Sequence, residues 1–318
     1  MSPRGGRSGL SVLLLRTSQR SSRGGAGVLS YRPKPAVYSV SITGHRCDLG
    51  CQHCRGRYLR GMEAAEDPKS LIRAFLKAEE KGAKMILISG GFDRLGRLPV
   101  MDFLGAISQG KSMTGLVVEV HSGLNREVDK LGDAGVDALL LDVVGEQETI
   151  DRYVGGHWCT EDYVEVLREA KKFIPLVAAH ILVGVDRGEV RGEFEAVDMV
   201  AEAKADALSI LTPMDARSPE LDEIAKVMDY ARGRFGDHLT LGCMRTRGKD
   251  RPEIEKLAVD LGFDGIANPL QRTLRYAESI GVQVIEVDGC CVFTQDGIPK
   301  NTKGRLGAHQ AGTEGTLP

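Results

Sequence analysis

No stretch of this 318-residue sequence approaches the roughly 18 consecutive apolar residues of a membrane-spanning helix, which excludes a helical membrane protein. Nor is there a basic face of the kind that tracks a nucleic-acid backbone, because 42 lysines and arginines stand against 44 aspartates and glutamates. The composition also lacks the poverty of a disordered chain, with 42% hydrophobic and 27% charged residues. No internal repeat is visible. The length allows one large domain or two small ones, with enough chain to bury a full core.

Acidic residues are missing altogether from residues 1–34, where Arg4, Arg7, Arg16, Arg20, Arg23, Arg32 and Lys34 lie. Removing those seven from the 42 basic residues leaves 35 against 44 acids, a body of about −9. The apolar stretch Leu10–Leu15 is broken by Ser11 and falls short of a secretory signal. A Ser/Arg arm without acids is compatible with a transit peptide, but the simplest reading of 1–34 is a disordered extension. Residues 294–318, rich in glycine and polar residues, read as a disordered tail. One folded domain over 35–293 is expected. The seven cysteines are an odd number in a chain too large to need disulfides. That favours a reducing, cytoplasmic setting and thiols kept for metal or catalysis.

Within the domain, short apolar runs alternate with helical patterns. Strands are expected at Val37–Thr43, Met85–Ser89, Leu116–His121, Ala138–Val143, Leu176–Val183, Ala207–Leu211, Leu239–Leu241 and Gly265–Ala267, with a ninth run at Val282–Val287. Most are continuous apolar runs, as parallel strands buried on both faces are. Asp67 and Pro68 should open a helix whose apolar stripe is Leu71, Ile72, Phe75 and Leu76, ending at Gly82. Ser218-Pro219-Glu220 should open another. About eight such units predict a (β/α)8 barrel, complete or partly open, with a doubly wound sheet as the rival. In a barrel, chemistry sits in the loops after the strands.

The first of those loops holds Cys47, Cys51 and Cys54, spaced C-x3-C-x2-C. Three thiolates from one loop suit an iron–sulfur cluster, or zinc with His45 or His53 as fourth ligand. Gly50 should let the loop turn back so that the sulfurs face one point. The second strand runs into Ser89-Gly90-Gly91-Phe92-Asp93, where glycines permit close backbone approach to a ligand. His121 and Ser122 end the third strand and Asp142 the fourth; Gly184, Gly188, Arg191 and Glu193 follow the fifth, and any of these could line a pocket. His157, Trp158 and His180 suggest no role. Cys159 reads as a buried small hydrophobe. Cys243 ends the seventh strand and Cys290-Cys291 follow the ninth run. Adjacent side chains diverge, so one of that pair should point inward. Cys243 with Cys290 and Cys291 could hold a second cluster.

C-x3-C-x2-C after the first strand of such a barrel resembles the radical S-adenosylmethionine (radical SAM) superfamily. The resemblance implies a [4Fe–4S] cluster on Cys47, Cys51 and Cys54, whose open iron binds S-adenosylmethionine. One electron then yields methionine and a 5′-deoxyadenosyl radical. His53 stands where the family usually has an aromatic residue packed on the adenine. Ser89, Gly90, Gly91, Phe92 and Asp93 stand at its methionine-binding Gly-Gly element, without the usual glutamate. His121 and Asp142 would line the same cofactor pocket. The span Pro35–Phe293 is similar to the biotin-synthase-related group. Asp142-Val143-Val144-Gly145, His180-Ile181-Leu182-Val183-Gly184 and Gly242-Cys243-Met244-Arg245 resemble a branch that includes one half of a two-protein lipoyl synthase. Arg245 is similar to an arginine beside the second cluster of biotin synthase. The implied reaction is sulfur insertion into an octanoyl chain on a carrier protein, or a biotin-synthase-like reaction on a small molecule without sulfur insertion. The implied partners are a second radical SAM protein and an electron donor such as ferredoxin or flavodoxin. A non-catalytic iron–sulfur or zinc protein is the rival of another class.

Overall fold

The computed structural model of the chain describes residues 27–214 and 218–297. Eleven strands make one sheet: β1 (Val28–Tyr31), β2 (Val37–Ser41), β3 (Glu63–Ala64), β4 (Met85–Ser89), β5 (Val117–His121), β6 (Ala138–Asp142), β7 (Leu176–Leu182), β8 (Ala207–Leu211), β9 (His238–Leu241), β10 (Gly265–Ala267) and β11 (Val284–Val287). Their order is β11-β1-β10-β9-β8-β7-β6-β5-β4-β2-β3. All ten pairings are parallel.

From β3 to β10 each strand is followed by a helix: α1 (Pro68–Glu80), α2 (Leu104–Met113), α3 (Val128–Asp133), α4 (Thr160–Phe173), α5 (Glu193–Ala203), α6 (Leu221–Arg234), α7 (Arg251–Asp260) and α8 (Gln271–Ser279). From β2 through β4 to β10, strand order follows chain order without reversal. A doubly wound sheet would reverse part-way. This is the expected (β/α) barrel, left open between the edges β11 and β3. No described helix is long and apolar enough to cross a membrane.

The expected strands are present with ends moved by a residue or two, and two further strands appear. β3 is only two residues long. β1 lies inside the segment read as arm, and pairs with both β10 and β11. Its four residues are all buried, so packing overrides the basic, Ser-rich composition around them. The arm as far as residue 26 and the tail beyond 297 lie outside the described residues.

Helix α1 forms as its sequence directs. The Asp67 side chain accepts from the Ser70 amide at 3.0 Å, and the Ser70 hydroxyl accepts from the Asp67 amide at 3.1 Å. Leu71 and Phe75 are buried as expected, and Ala74 and Ala78 complete the buried stripe. Leu76 is 41% exposed and lies off the stripe. Helix α6 starts at Leu221, just after the expected opening at Ser218–Glu220.

The sheet divides its side chains by alternation. Val118 and Val120, Leu139 and Leu141, and Val177, Ala179 and Ile181 enter the large core shared with the helices. Val117, Ala138, Leu140, Leu176, Ala178 and Ala207 face the other way and pack on Val292 and Phe293, which plug the start of the strands. The inner face is apolar at that end and polar towards the strands' C-terminal ends.

Arg245, likened above to a cluster-side arginine, lies two residues from Cys243 and also braces the fold. It is 4% exposed and donates to the carbonyls of Gly242, Ala267 and Asn268 and, at 3.1 Å, to the fully buried Glu255. Glu255 also accepts from Arg251, the Leu270 amide and the Thr273 hydroxyl. The group ties α7 to the ends of β9 and β10. Removing one partner of a buried pair strands the other's charge, so Glu255→Ala should lower stability by about 3–5 kcal/mol in urea unfolding. A change within experimental error would show that the pair is dispensable.

Candidate active site at the ends of the strands

Register brings the first two loops together. Ser41 of β2 pairs with Ser89 of β4, and the Ile42 amide extends the ladder to the Ser89 carbonyl at 2.9 Å. The Thr43 hydroxyl then donates to the Arg46 carbonyl (2.9 Å) and accepts from the Gly91 amide (2.6 Å). The amides of Asp48 and Leu49 both donate to the Phe92 carbonyl. A Cβ at Gly91 would lie 1.9 Å from the Arg46 carbonyl oxygen and 2.5 Å from the Cys47 Cα. Position 91 therefore has to be glycine. Gly50 has a φ of +62°, the left-handed turn that folds the cysteine loop back.

Cys51 is buried, and Cys47 and Cys54 are half-buried beside it. The Cys51 thiol donates to the Cys54 sulfur, which makes Cys54 far more acidic than an ordinary thiol; His53 and the Gly56 amide add to this. Its role as donor, its burial and the charges of Cys54 and Cys47 push Cys51 up. Cys51 and Cys54 compete here for one proton, an arrangement that a cationic centre relieves. Among the described residues, no three His, Cys, Asp or Glu side chains converge on a single metal ion. Cluster ligands sit on separate irons, so an all-sulfur set from one loop suits a cluster better than a mononuclear zinc.

Asp93 hydrogen-bonds within its own loop. Its carboxylate accepts from the amides of Leu95 and Arg97 and from the Arg97 guanidinium, which closes its own turn. The parts of this loop that meet the cysteines are the backbone of Gly91 and Phe92. A shallow cleft lies beside His53, lined also by Gln52, Tyr58, Tyr153, Gly184 and Arg187. Glu193 accepts from the Gly184 amide at 2.7 Å and shapes the loop after β7, while Arg191 pairs with Asp186 and Glu189.

Inside the curl, the sequence reading missed the central residue. His180, given no role there, lies 3.3 Å from Asp142 (Nδ1 to Oδ1), and its ring is 5.3 Å from that of His121. Burial alone would pull the His180 ring down, but the adjacent Asp142 carboxylate and the charges of Cys291 and Glu119 raise it above the usual value. Asp142 is water-accessible but enclosed by protein; that enclosure opposes its ionisation, yet His180, His121 and His53 hold its carboxyl down to about 2. His121 is pushed down to about 4, chiefly by burial. The available signal was alternation: His180 is two residues from the inward-facing Ala178.

Cys290 and Cys291 both engage the interior, against the expectation that one would point away. Cys290 donates to Cys291, which becomes the more acidic; burial works against this and His180, Ser209 and Thr240 assist it. The Cys291 sulfur is 3.7 Å from the Ser209 hydroxyl. Cys243 is water-accessible but walled by protein, and that enclosure with the Cys291 charge pushes its thiol up to about 11. Glu119 is fully buried nearby; burial pushes its carboxyl up to about 8. Cys159, expected in the core, is exposed at the start of α4, where its amide donates to Asp162 at 2.8 Å.

The residue pattern of the radical SAM superfamily matches residues 41–201, half of the chain, and so includes all three loop cysteines. The chain belongs to the radical SAM superfamily. It is a radical SAM enzyme, and the family's cofactors are a [4Fe–4S] cluster and S-adenosylmethionine. Two solved structures share its fold. Methylornithine synthase superposes with a TM-score of 0.52 at 15% identity, over 82% of this chain and 84% of that one. The [FeFe]-hydrogenase maturase HydG gives 0.53 at 14% identity, over 76% of this chain and 57% of that one. No curated protein sequence matches.

Gly91→Ala should fold but fail to hold iron after anaerobic reconstitution, because the new Cβ displaces the backbone at Arg46 and Cys47. Parent-like iron content and absorption would contradict this role for the contact.

Proposed function

We propose that Cys47, Cys51 and Cys54 ligate the [4Fe–4S] cluster and that this chain uses it for sulfur insertion into a protein-bound octanoyl chain, as a lipoyl synthase component. The observation that carries the first part is the thiol trio at the end of β2, braced by the glycine backbone after β4. When bound, the cluster and S-adenosylmethionine together supply a 5′-deoxyadenosyl radical that abstracts hydrogen. His53 stands on the wall of the neighbouring cleft, where its ring would pack on the adenine. Gly90, Gly91 and Phe92 offer backbone to the methionine end, within reach of the cysteine loop. His121 and Asp142 stand on the inner face, where His180 keeps the Asp142 carboxylate ionised.

Sulfur insertion is supported by the second set of thiols. Cys290 and Cys291 lie inside the curl with Cys243 in electrostatic range, and these three are the proposed ligands of an auxiliary cluster as sulfur donor. The proposed partners are a second radical SAM protein, the octanoylated carrier and an acidic one-electron donor such as ferredoxin or flavodoxin, in the cytoplasm.

Cys51→Ala should abolish reductive cleavage of S-adenosylmethionine; undiminished 5′-deoxyadenosine from the variant would sink the cluster assignment. An anaerobic assay on octanoylated carrier protein, with and without the second protein, should give a product heavier by sulfur. Hydrogen abstraction with no sulfur gained would remove the lipoyl assignment and leave the radical chemistry standing.

A further inference from the structure

Glu119 occupies the middle of β5, wholly buried, and neither of its carboxylate oxygens has a hydrogen-bond partner. Its register partners on either side are Leu87 and Ala138. Nothing in the sheet calls for a carboxylate between those two, and an apolar residue would cost less to bury. Beyond the sheet its neighbours are sulfur. The Cys290 thiol lies close enough to stabilise the carboxylate without closing a hydrogen bond of good geometry, and Cys291 adds a second acidic group. A carboxyl and two thiols from distant parts of the chain thus lie within electrostatic range of one another, with the His180 imidazole nearby.

That gathering is held in place. The Cys291 carbonyl is 3.0 Å from His238 Nε2, and the Tyr31 hydroxyl donates to the Phe293 carbonyl. The Phe293 amide donates to the Cys290 carbonyl at 3.3 Å, and Val292 and Phe293 are locked into the inner apolar cluster. The turn therefore cannot swing its thiols away from Glu119 without unpacking the plug.

The geometry points to Glu119 as a fourth protein ligand of the auxiliary iron–sulfur cluster, beside Cys243, Cys290 and Cys291. This rests on the second-cluster reading proposed above. Iron accepts oxygen as well as sulfur ligands, and a buried acidic group is stabilised by a cationic centre at its oxygens.

The test uses the full chain with Cys47, Cys51 and Cys54 all replaced by alanine, reconstituted anaerobically with iron and sulfide. This protein should retain about four irons per chain and the electron paramagnetic resonance signal of a reduced cluster. Adding Glu119→Gln should cut the iron retained at least twofold or shift that signal, while the apoprotein melts no lower than its parent. Adding Glu119→Cys should restore the iron with an altered signal. If the triple variant binds no cluster, the second-cluster reading fails and takes this inference with it. If it binds one and Glu119→Gln leaves iron and signal unchanged, Glu119 is not a ligand and the second cluster stands. An apoprotein destabilised by Glu119→Gln would mark the residue as structural and overturn the assignment.

Discussion

Two turns of backbone approach one another above β2 and β4, and the chemistry of the whole cleft depends on how close they come. The ladder between Ser41 and Ser89 sets both loops at one height. The Thr43 hydroxyl then joins them through the Arg46 carbonyl and the Gly91 amide. With no side chain at Gly91, the cysteine loop rests directly on peptide backbone. A loop so supported holds its thiols at a defined point without help from a hydrophobic core, which a ligand-binding surface cannot spare. The positive φ at Gly50 and Gly56 lets the same short segment turn back on itself.

A second constraint acts on the sheet. Helices follow the strands, and the residues that enter the helix-side core must be apolar along their whole length. The inner face is under no such demand beyond the plug of Val292 and Phe293. Every parallel strand points the same way, so inward positions near the strand ends collect at one end of the curl. Asp142 and His180 are cross-strand partners there, and Ser209 and Thr240 continue the same row across β8 and β9. The polar layer is thus a consequence of strand direction and register, and the ionised Asp142 follows from the histidines gathered around it.

Strand positions, the barrel order and the cysteine loop were legible because each rests on local pattern: apolar runs, capping residues and thiol spacing. What was not legible depends on partners far away in sequence. Val28–Tyr31 looks like part of a basic arm until β10 and β11 are there to receive it. Asp93 resembles a cofactor ligand by position, and its pairing with Arg97 four residues later appears only once the turn is formed. Arg245 resembles a cluster neighbour by motif, and its pairing with the buried Glu255 could not be read from that motif. His180 and Glu119 sit within apolar strands, where only the sheet's inner and outer faces distinguish a core position from a site position. Cys159 shows the reverse error, since a helix start on the surface holds a residue type more often found inside.

The vicinal cysteines show how packing places reactive groups that have no packing role themselves. Neighbouring side chains in an extended segment diverge, and on that geometry alone one of the two thiols should face solvent. The chain instead turns at this point, with the Phe293 amide bonded to the Cys290 carbonyl. Val292 and Phe293 are drawn into the apolar start of the curl by Leu140, Leu176 and Ala178, and the turn follows them. Both thiols are thereby carried to the level of Glu119 and Ser209, above an apolar floor and below the polar strand ends. Burial that would ordinarily suppress two thiols and a carboxyl is imposed by the hydrophobic plug. Glu119 and Cys290 answer that burial by holding their protons, so both are pushed up, while Cys291 beside His180, Ser209 and Thr240 is the one drawn down.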